Sequence, residues 1–343
     1  LNDIFDLEDV TKVWLAKDRV QEIGKNLSQY NAFDTGLFAC TPYLFEVLEK
    51  HLAEKNDVSL SQGIQSLAAH QLVRTCDISD CFWQDVDTPE SMKYAQKIMF
   101  QKLRKPTDGV VSRYFNRYIS TSLTRLLVKT PVTANQITFV VSLLGILSGY
   151  FISSGKYWDG VIGGILFQLT SILDGCDGEL SKLKLTASKT GEWLDTIGDN
   201  LTYLSFLVGV SMASHRILHG DFEVFEAAFM LAGFGFLMVV VAFYLIYHAN
   251  SGTLMAIQKD FEEEAKSRPE SKGLISFFGT KLKFLMKRDF FALFFMALCI
   301  LDHVPLILHL SFVGVNATWI ILLSYKRDIF KIPAKAKQLE ERR

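Results

Sequence analysis

Residues 172–182 read ILDGCDGELSK and residues 190–200 read TGEWLDTIGDN. The first closes one long apolar run and the second opens the next, and the short basic connection between them makes the two helices antiparallel neighbours. Asp174 and Asp177 are three residues apart and Asp195 and Asp199 four apart, so each pair lies on one helix face. The spacing therefore predicts carboxylates converging near a membrane boundary. Even one carboxylate within a membrane helix is costly, and like charges gathered in one place repel strongly. Such a cluster persists when a cation binds it. All-oxygen donors, with no His or Cys among them, select a hard ion, Mg2+ or Mn2+, one or two in number. Mg2+ held by a few carboxylates completes its shell with substrate phosphates, which points to a phosphorylated substrate. Gly175, Gly178 and Gly191 stand beside the aspartates and leave room for a ligand or a second helix to approach. The bland alternative, aspartates that merely cap helices around a polar turn, accounts poorly for this spacing.

Outward from this core, a membrane-crossing helix needs about 20 apolar residues. Six stretches are candidates, at about 134–153, 157–181, 191–213, 224–249, 287–302 and 304–324; the fifth is short and rich in Phe. Lys and Arg crowd alternate connections: Arg113 to Lys129 before the first span, Lys182 to Lys189 after the second, Lys259 to Arg288 after the fourth, Lys326 to Lys337 after the sixth. The other connections hold little more than Lys156 and Arg216. This bias predicts a multi-pass protein of the cell membrane with both termini and the acidic site cytoplasmic. Small residues in VIGGILF, 161–167, suit helix packing within one chain or between two, which leaves a homodimer open.

The remainder divides unevenly. Hydrophobic residues make up 49% of the 343, yet they concentrate beyond position 130, and residues 1–105 read as a soluble α/β segment. Within it, 30–50 suggests a strand, a proline turn and a helix, 58–68 a helix begun by Ser59, and 83–98 a loop entering a helix capped at Thr88, Pro89 and Glu90. Residues 106–130 include an amphipathic helix, with Val111, Phe115, Tyr118, Ile119, Ser122, Leu123, Leu126 and Leu127 at three-and-four spacing. It is expected to lie in the headgroup region, apolar face down, with Arg113, Arg117 and Arg125 reaching phosphates. Residues 131–325 form the membrane domain and 326–343 a basic tail. The cysteines (Cys40, Cys76, Cys81, Cys176, Cys299) show no zinc spacing and read as reduced and mostly buried. His215 and His219, in a short polar loop, lack a third ligand. The first residue is Leu, which suggests the tail of a longer reading frame.

The acidic motif resembles the signature of the CDP-alcohol phosphotransferase family, Asp-x-x-Asp-Gly-x-x-Ala-Arg, eight residues, Gly-x-x-x-Asp-x-x-x-Asp. Asp174, Asp177, Gly178, Gly191, Asp195 and Asp199 match it without a gap; Ser181 and Lys182 stand in place of Ala and Arg. Lys keeps the charge but loses the planar grip of Arg on phosphate. The resemblance implies that Asp174, Asp177 and Asp195 hold metal at the donor diphosphate. Asp199 would be both a metal neighbour and the general base, and Gly178 and Lys182 would contact the cytidine or its phosphates. Asn135 and Thr138, in ANQIT at the head of the first span, either touch the nucleotide or cap the helix. Arg288 would meet a phosphate on the acceptor, with Lys287 equally explained as an anchor.

The first hundred residues resemble the C-terminal part of sugar-nucleotide nucleotidyltransferases. That resemblance makes Asp85 or Asp87 a metal ligand and puts Asp34 and Gly36 near a phosphorylated polyol. The glycine-rich nucleotide loop of that family is missing from this sequence, so cytidylyltransferase activity is not expected of it. The two resemblances together are similar to the bifunctional enzymes that make CDP-inositol and then di-myo-inositol phosphate phosphate. The implied reaction is CDP-inositol plus inositol 1-phosphate giving the phosphodiester and CMP. The alternative is a CDP-diacylglycerol-dependent phospholipid synthase of the phosphatidylinositol phosphate type, and a remote one an ion-coupled transporter. The expected fold is mainly α: six membrane helices preceded by an interfacial helix and a partial nucleotidyltransferase domain. Its partners are a CDP-alcohol, an alcohol or polyol acceptor and the bilayer, with no nucleic acid.

Overall fold

The computed structural model describes residues 10–55, 58–78, 81–104, 108–249, 252 and 287–325. Most of the connection expected after the fourth span, and the basic tail, lie outside the described residues. The chain forms two compact units, 1–102 and 103–343.

In the first unit, strands β1 (Lys12–Ala16) and β2 (Arg19–Gly24) form an antiparallel hairpin, and β3 (Ala32–Phe33) pairs with the other edge of β1. The two-residue turn works because Lys17 takes a left-handed conformation (φ 60°), which matches the strand twist. Helices α1 (Tyr43–Lys55) and α2 (Leu60–Ala69) supply Leu44, Ile64 and Ala68 to a core completed by Val13, Val20 and Ile23. Ser59 and Gln62 close a reciprocal cap at the start of α2, and Thr88 caps α3 (Pro89–Lys102) through the Ser91 amide. The helix starts expected at 59 and 88–90 are therefore found. Cys40, Cys76 and Cys81 are exposed and only Cys176 and Cys299 buried, which corrects the expectation of mostly buried thiols; the first unit's core is too thin to cover them.

The second unit is helical. A π-helical turn (Ser112–Asn116) leads into α4 (Arg117–Leu127), followed by α5 (Ala134–Ser153), α6 (Tyr157–Leu183), α7 (Lys189–Leu218) and α8 (Asp221–Tyr244). After a second π turn (Leu245–Ala249) and the undescribed stretch come α9 (Arg288–Ile300) and α10 (Val304–Tyr325). Four of these helices are long and apolar enough to cross a membrane: 134–153, 189–218, 221–248 and 304–324. The other two that were expected to cross do form helices. However, α6 carries Asp159, Asp174, Asp177, Glu179 and Lys182, and α9, at 13 residues, spans about 20 Å of a hydrocarbon layer about 30 Å thick. His215 lies inside α7, which corrects its expected loop position, whereas His219 follows the helix end in a left-handed conformation, in the short connection to α8.

Small residues set the packing. A side chain on Gly209 of α7 would run into the backbone of Gly149 on α5, so the two helices meet almost backbone to backbone. In VIGGILF, Gly163 abuts Ser148 and Ile152 of α5, and Gly164 abuts Met296 and Cys299 of α9. The motif thus packs helices within the chain. Phe167 stacks on Phe206 at 3.9 Å between centroids, in a core that Phe295, Leu298 and Ile307 extend to α9 and α10.

Candidate functional site

Local signals at two helix starts, and one tight turn, aim the site residues. Thr133 and Gln136 form a reciprocal cap that begins α5, so Thr138 falls on its second turn. Ser188 caps α7 by accepting the Gly191 amide at 3.1 Å, which places Asp195 and Asp199 on the following two turns. Between α6 and α7 the chain reverses at Leu185, in a left-handed conformation (φ 54°). Lys184 fixes the neighbouring corner by donating to the carbonyls of Thr130 (2.6 Å) and Val132 (2.7 Å).

Asp174, Asp195 and Asp199 each offer a carboxylate oxygen, and these oxygens lie within 4.8 Å of one another. Carboxylate oxygens this close on three side chains could be drawn onto one hard cation by small side-chain movements. The donor set is all carboxylate and half-buried, which suits a hard cation. Asp177, the most buried of the four aspartates, stands outside this group of three and accepts from the Thr138 hydroxyl at 2.6 Å and from the Gly178 amide at 2.5 Å. Thr138 is thus neither a helix cap nor idle; it holds an aspartate.

Beside the carboxylates opens a small, half-open cleft of about 120 Å³. Asn135, Thr138, Asp177, Gly178, Ser181, Gly191 and Asp195 all line it. Nothing lies within 4 Å of the place a Gly178 side chain would occupy, so the backbone there is open to a ligand. Lys182 is exposed and does not line this cleft. Glu192, Thr186, Ala187 and Ser188 do line it, and sequence reasoning missed them. The one available signal was the shortness of the connection, which forces its residues over the acidic ends of both helices.

Arg288 reaches the cluster from the first turn of α9. Its guanidinium stands 3.0 Å from Asp174, hydrogen-bonds Asp199, and lies over the Tyr203 ring at 5.4 Å. Its Nε and second terminal nitrogen are buried without a partner. A guanidinium with two donors unspent beside an acidic metal-type site is equipped to take an oxyanion.

The amphipathic segment departs in part from what its periodicity suggests. Arg117 does not reach outward: it pairs with Glu179 at 2.7 Å and with Asp108 at 3.0 Å. Asn116, Ser120, Thr121 and Thr124 form the buried face of this segment, while Tyr114, Tyr118 and Leu126 are exposed. Leu123 and Leu127, assigned to the outer face by their spacing, instead pack against the cluster of Ile137, Val141, Cys176 and Leu180. The physical reason is Glu179, a buried acid on α6 that needs donors more than the helix needs to hide its aromatics.

In the first unit, Asp85 and Asp87 are exposed, and Asp85 accepts from the adjacent Val86 amide. Asp34 accepts from the Gly36 amide at 2.8 Å, and Trp83 donates to the Thr35 carbonyl at 3.1 Å. Among the described residues these aspartates join no group of metal-type ligands.

A family model described as CDP-alcohol phosphatidyltransferase matches residues 131–325. Curated relatives named "Bifunctional IPC transferase and DIPP synthase" are similar to the chain. The protein of Aquifex aeolicus is 37% identical over 205 residues, 60% of this chain and 46% of the relative. That of Thermococcus kodakarensis is 40% identical over 211 residues, 61% and 47% of the two chains. That of Archaeoglobus fulgidus is 34% identical over 208 residues, 60% and 40%. The chain thus spans about half the length of the relatives it matches.

Proposed function

The chain belongs to the CDP-alcohol phosphatidyltransferase family, and on that premise we propose that it joins the phosphoalcohol of CDP-inositol to inositol 1-phosphate and releases CMP. The observation that supports the reading is the triad of carboxylate oxygens within 4.8 Å of one another, at the edge of an open cleft lined by Asp177 and Asp195. Asp174, Asp177, Asp195 and Asp199 would hold one or two Mg2+ or Mn2+ ions. Bound there, the metal supplies charge neutralisation for a diphosphate and its leaving group.

The chain's own groups divide the remaining work. Asn135, Thr138, Gly178, Ser181 and Gly191 form the walls against which the cytidine and its phosphates lie. Thr138 keeps the Asp177 carboxylate in one rotamer. Asp199 accepts the proton of the acceptor hydroxyl as its oxygen attacks the phosphorus of the donor's alcohol phosphate; that bond forms as the bond to CMP breaks. Arg288 meets the phosphate of the acceptor with its two unspent donors. In this reading all six helices α5 to α10 cross the membrane with the acidic site facing the cytoplasm, and 1–105 belongs to a nucleotidyltransferase-like unit. The name DIPP synthase of the relatives supports the inositol pair.

The test is CMP release by purified protein in detergent with Mg2+, comparing CDP-inositol plus inositol 1-phosphate with CDP-diacylglycerol plus inositol phosphate. Release with the soluble donor alone, abolished by EDTA and in Asp199→Asn, is the expected result. Release with the lipid donor alone would move the protein to phospholipid synthesis.

A further inference from the structure

The turn of α6 that carries Asp174 and Asp177 is gripped from behind. Glu179, 2% exposed, accepts hydrogen bonds from Arg117 (2.7 Å), Ser120 (2.8 Å) and Thr124 (2.7 Å), all on the segment that ends in α4. The Cys176 thiol reaches the Ser120 carbonyl at 3.6 Å. A side chain on Gly175 would stand 3.3 Å from both Arg117 and Ser120, so α4 approaches the α6 backbone at this turn. The same segment also holds α9: the Ser112 amide donates to Asp289 at 2.5 Å, next in sequence to Arg288. The π-helical turn at 112–116 adds a residue to this segment and so helps set the Ser112 contact and the Arg117 contact on their two targets.

We propose that Glu179 is a positioning residue for the transfer reaction, locking the rotation of α6 through α4 so that Asp174 and Asp177 present their carboxylates to the metal. The inference rests on the metal-dependent transfer proposed above. Glu179 is two residues beyond Asp177, hence on the far side of the helix, and it touches neither the cleft nor the carboxylate triad. Its leverage is geometric. A carboxylate about 5–6 Å from a helix axis moves about 1 Å when the helix turns by about 10°. A displacement of that size near a reacting centre costs about 100-fold in rate. A buried acid with three donors resists such a turn far better than apolar contact, which permits sliding.

The experiment uses the full chain in detergent and reads Mn2+ affinity by EPR of free Mn2+, kcat and KM for CMP release, and the thermal unfolding midpoint. In Glu179→Gln, the Mn2+ dissociation constant is expected to rise, and kcat to fall, by about 10–100-fold, as for loss of outer partners of metal ligands. KM for the donor should change much less. If Glu179→Gln does not fold, the double variant Ser120→Ala/Thr124→Val removes two of the three donors and keeps the ion pair. It should shift both quantities in the same direction by about 3–10-fold. A variant that unfolds at lower temperature while Mn2+ affinity and kcat stay at the wild-type values would show a purely structural acid and overturn the proposal. Failure of the wild-type protein to release CMP would count against the transfer reading instead, and the Mn2+ isotherms would still decide the role of Glu179.

Discussion

Replacing Thr138 by Val tests whether the cleft wall holds the acidic site in shape. The Thr138 hydroxyl donates to Asp177 at 2.6 Å, with a longer 3.2 Å contact to the Ala134 carbonyl, and both residues are 6% exposed. A hydrogen bond to a charged group contributes about 1.5–3 kcal/mol. At about 1.4 kcal/mol per factor of ten, that is a factor of about 10–150. Val replaces the hydroxyl with a methyl of similar size, so the loss is electrostatic rather than a cavity. Asp177 keeps the Gly178 amide at 2.5 Å, which limits its freedom and favours the lower part of the range. Loss of an outer partner typically weakens metal binding by about 10–100-fold, and the two routes agree. The expected result is therefore a Mn2+ dissociation constant raised by about 10–100-fold, read by EPR on purified protein. CMP release should need correspondingly more Mg2+ to saturate. Thr138→Ser, which restores the donor, should recover most of the affinity. The reasoning is refuted if Thr138→Val binds Mn2+ like the wild type, or if Thr138→Ser is as weak as Thr138→Val.

Three further outcomes follow from other contacts. Arg288→Lys keeps the charge on α9 but loses the planar fork, so the KM of the phosphorylated acceptor should rise by about tenfold or more with little change for the donor; initial rates at varied acceptor check this, and an unchanged KM would leave Arg288 as an internal counter-ion only. Glu226, 4% exposed on α8, accepts from His309 of α10 at 2.6 Å, and neither helix lines the cleft. Glu226→Gln should destabilise by about 1–3 kcal/mol in thermal unfolding while CMP release at 25 °C is unaltered. Lys184→Met strips the caps from the Thr130 and Val132 carbonyls and should also cost about 1–3 kcal/mol, whereas Lys182→Met, at an exposed position, should leave the unfolding midpoint unmoved.

The helices of the second unit were legible because long apolar runs and capping residues are local signals. The starts of α5 at 134 and α7 at 189 fall within two residues of the apolar runs expected there, whereas the reversal at Leu185 carries no Gly or Asn to mark it. The β1–β2 hairpin escaped notice because its turn, Lys17 and Asp18, lacks the Asn-Gly or Gly chemistry that marks such turns. At the site, the spacing placed each aspartate pair on one helix face. It could not say that Asp177 would turn to Thr138, a residue 39 positions away on α5. A carboxylate on a helix face has several rotamers, and its choice depends on which donors the neighbouring helix offers.

The amphipathic segment before α5 shows where periodicity stops informing. Three-and-four spacing divides residues 110–127 into an apolar face and a polar one, and in water the apolar face would be buried. Beside a membrane the rule loses its sign, because lipid and protein are about equally apolar and only polar groups insist on a protein partner. The polar face is therefore the one that docks: Asn116 donates to Ser171 at 3.2 Å, and Ser120 and Thr124 serve Glu179, while Tyr114 and Tyr118 face outward. Arg117 illustrates the same inversion, a cation in an Arg-rich segment committed to Asp108 and Glu179. What decides the docking is the buried Glu179, and its need becomes readable only once α6 is known to run past α4. A charge buried in such a helix thus marks a place where a partner must be found, and the fold supplies it from a neighbouring helix, as Arg288 of α9 does for Asp174 and Arg117, Ser120 and Thr124 do for Glu179.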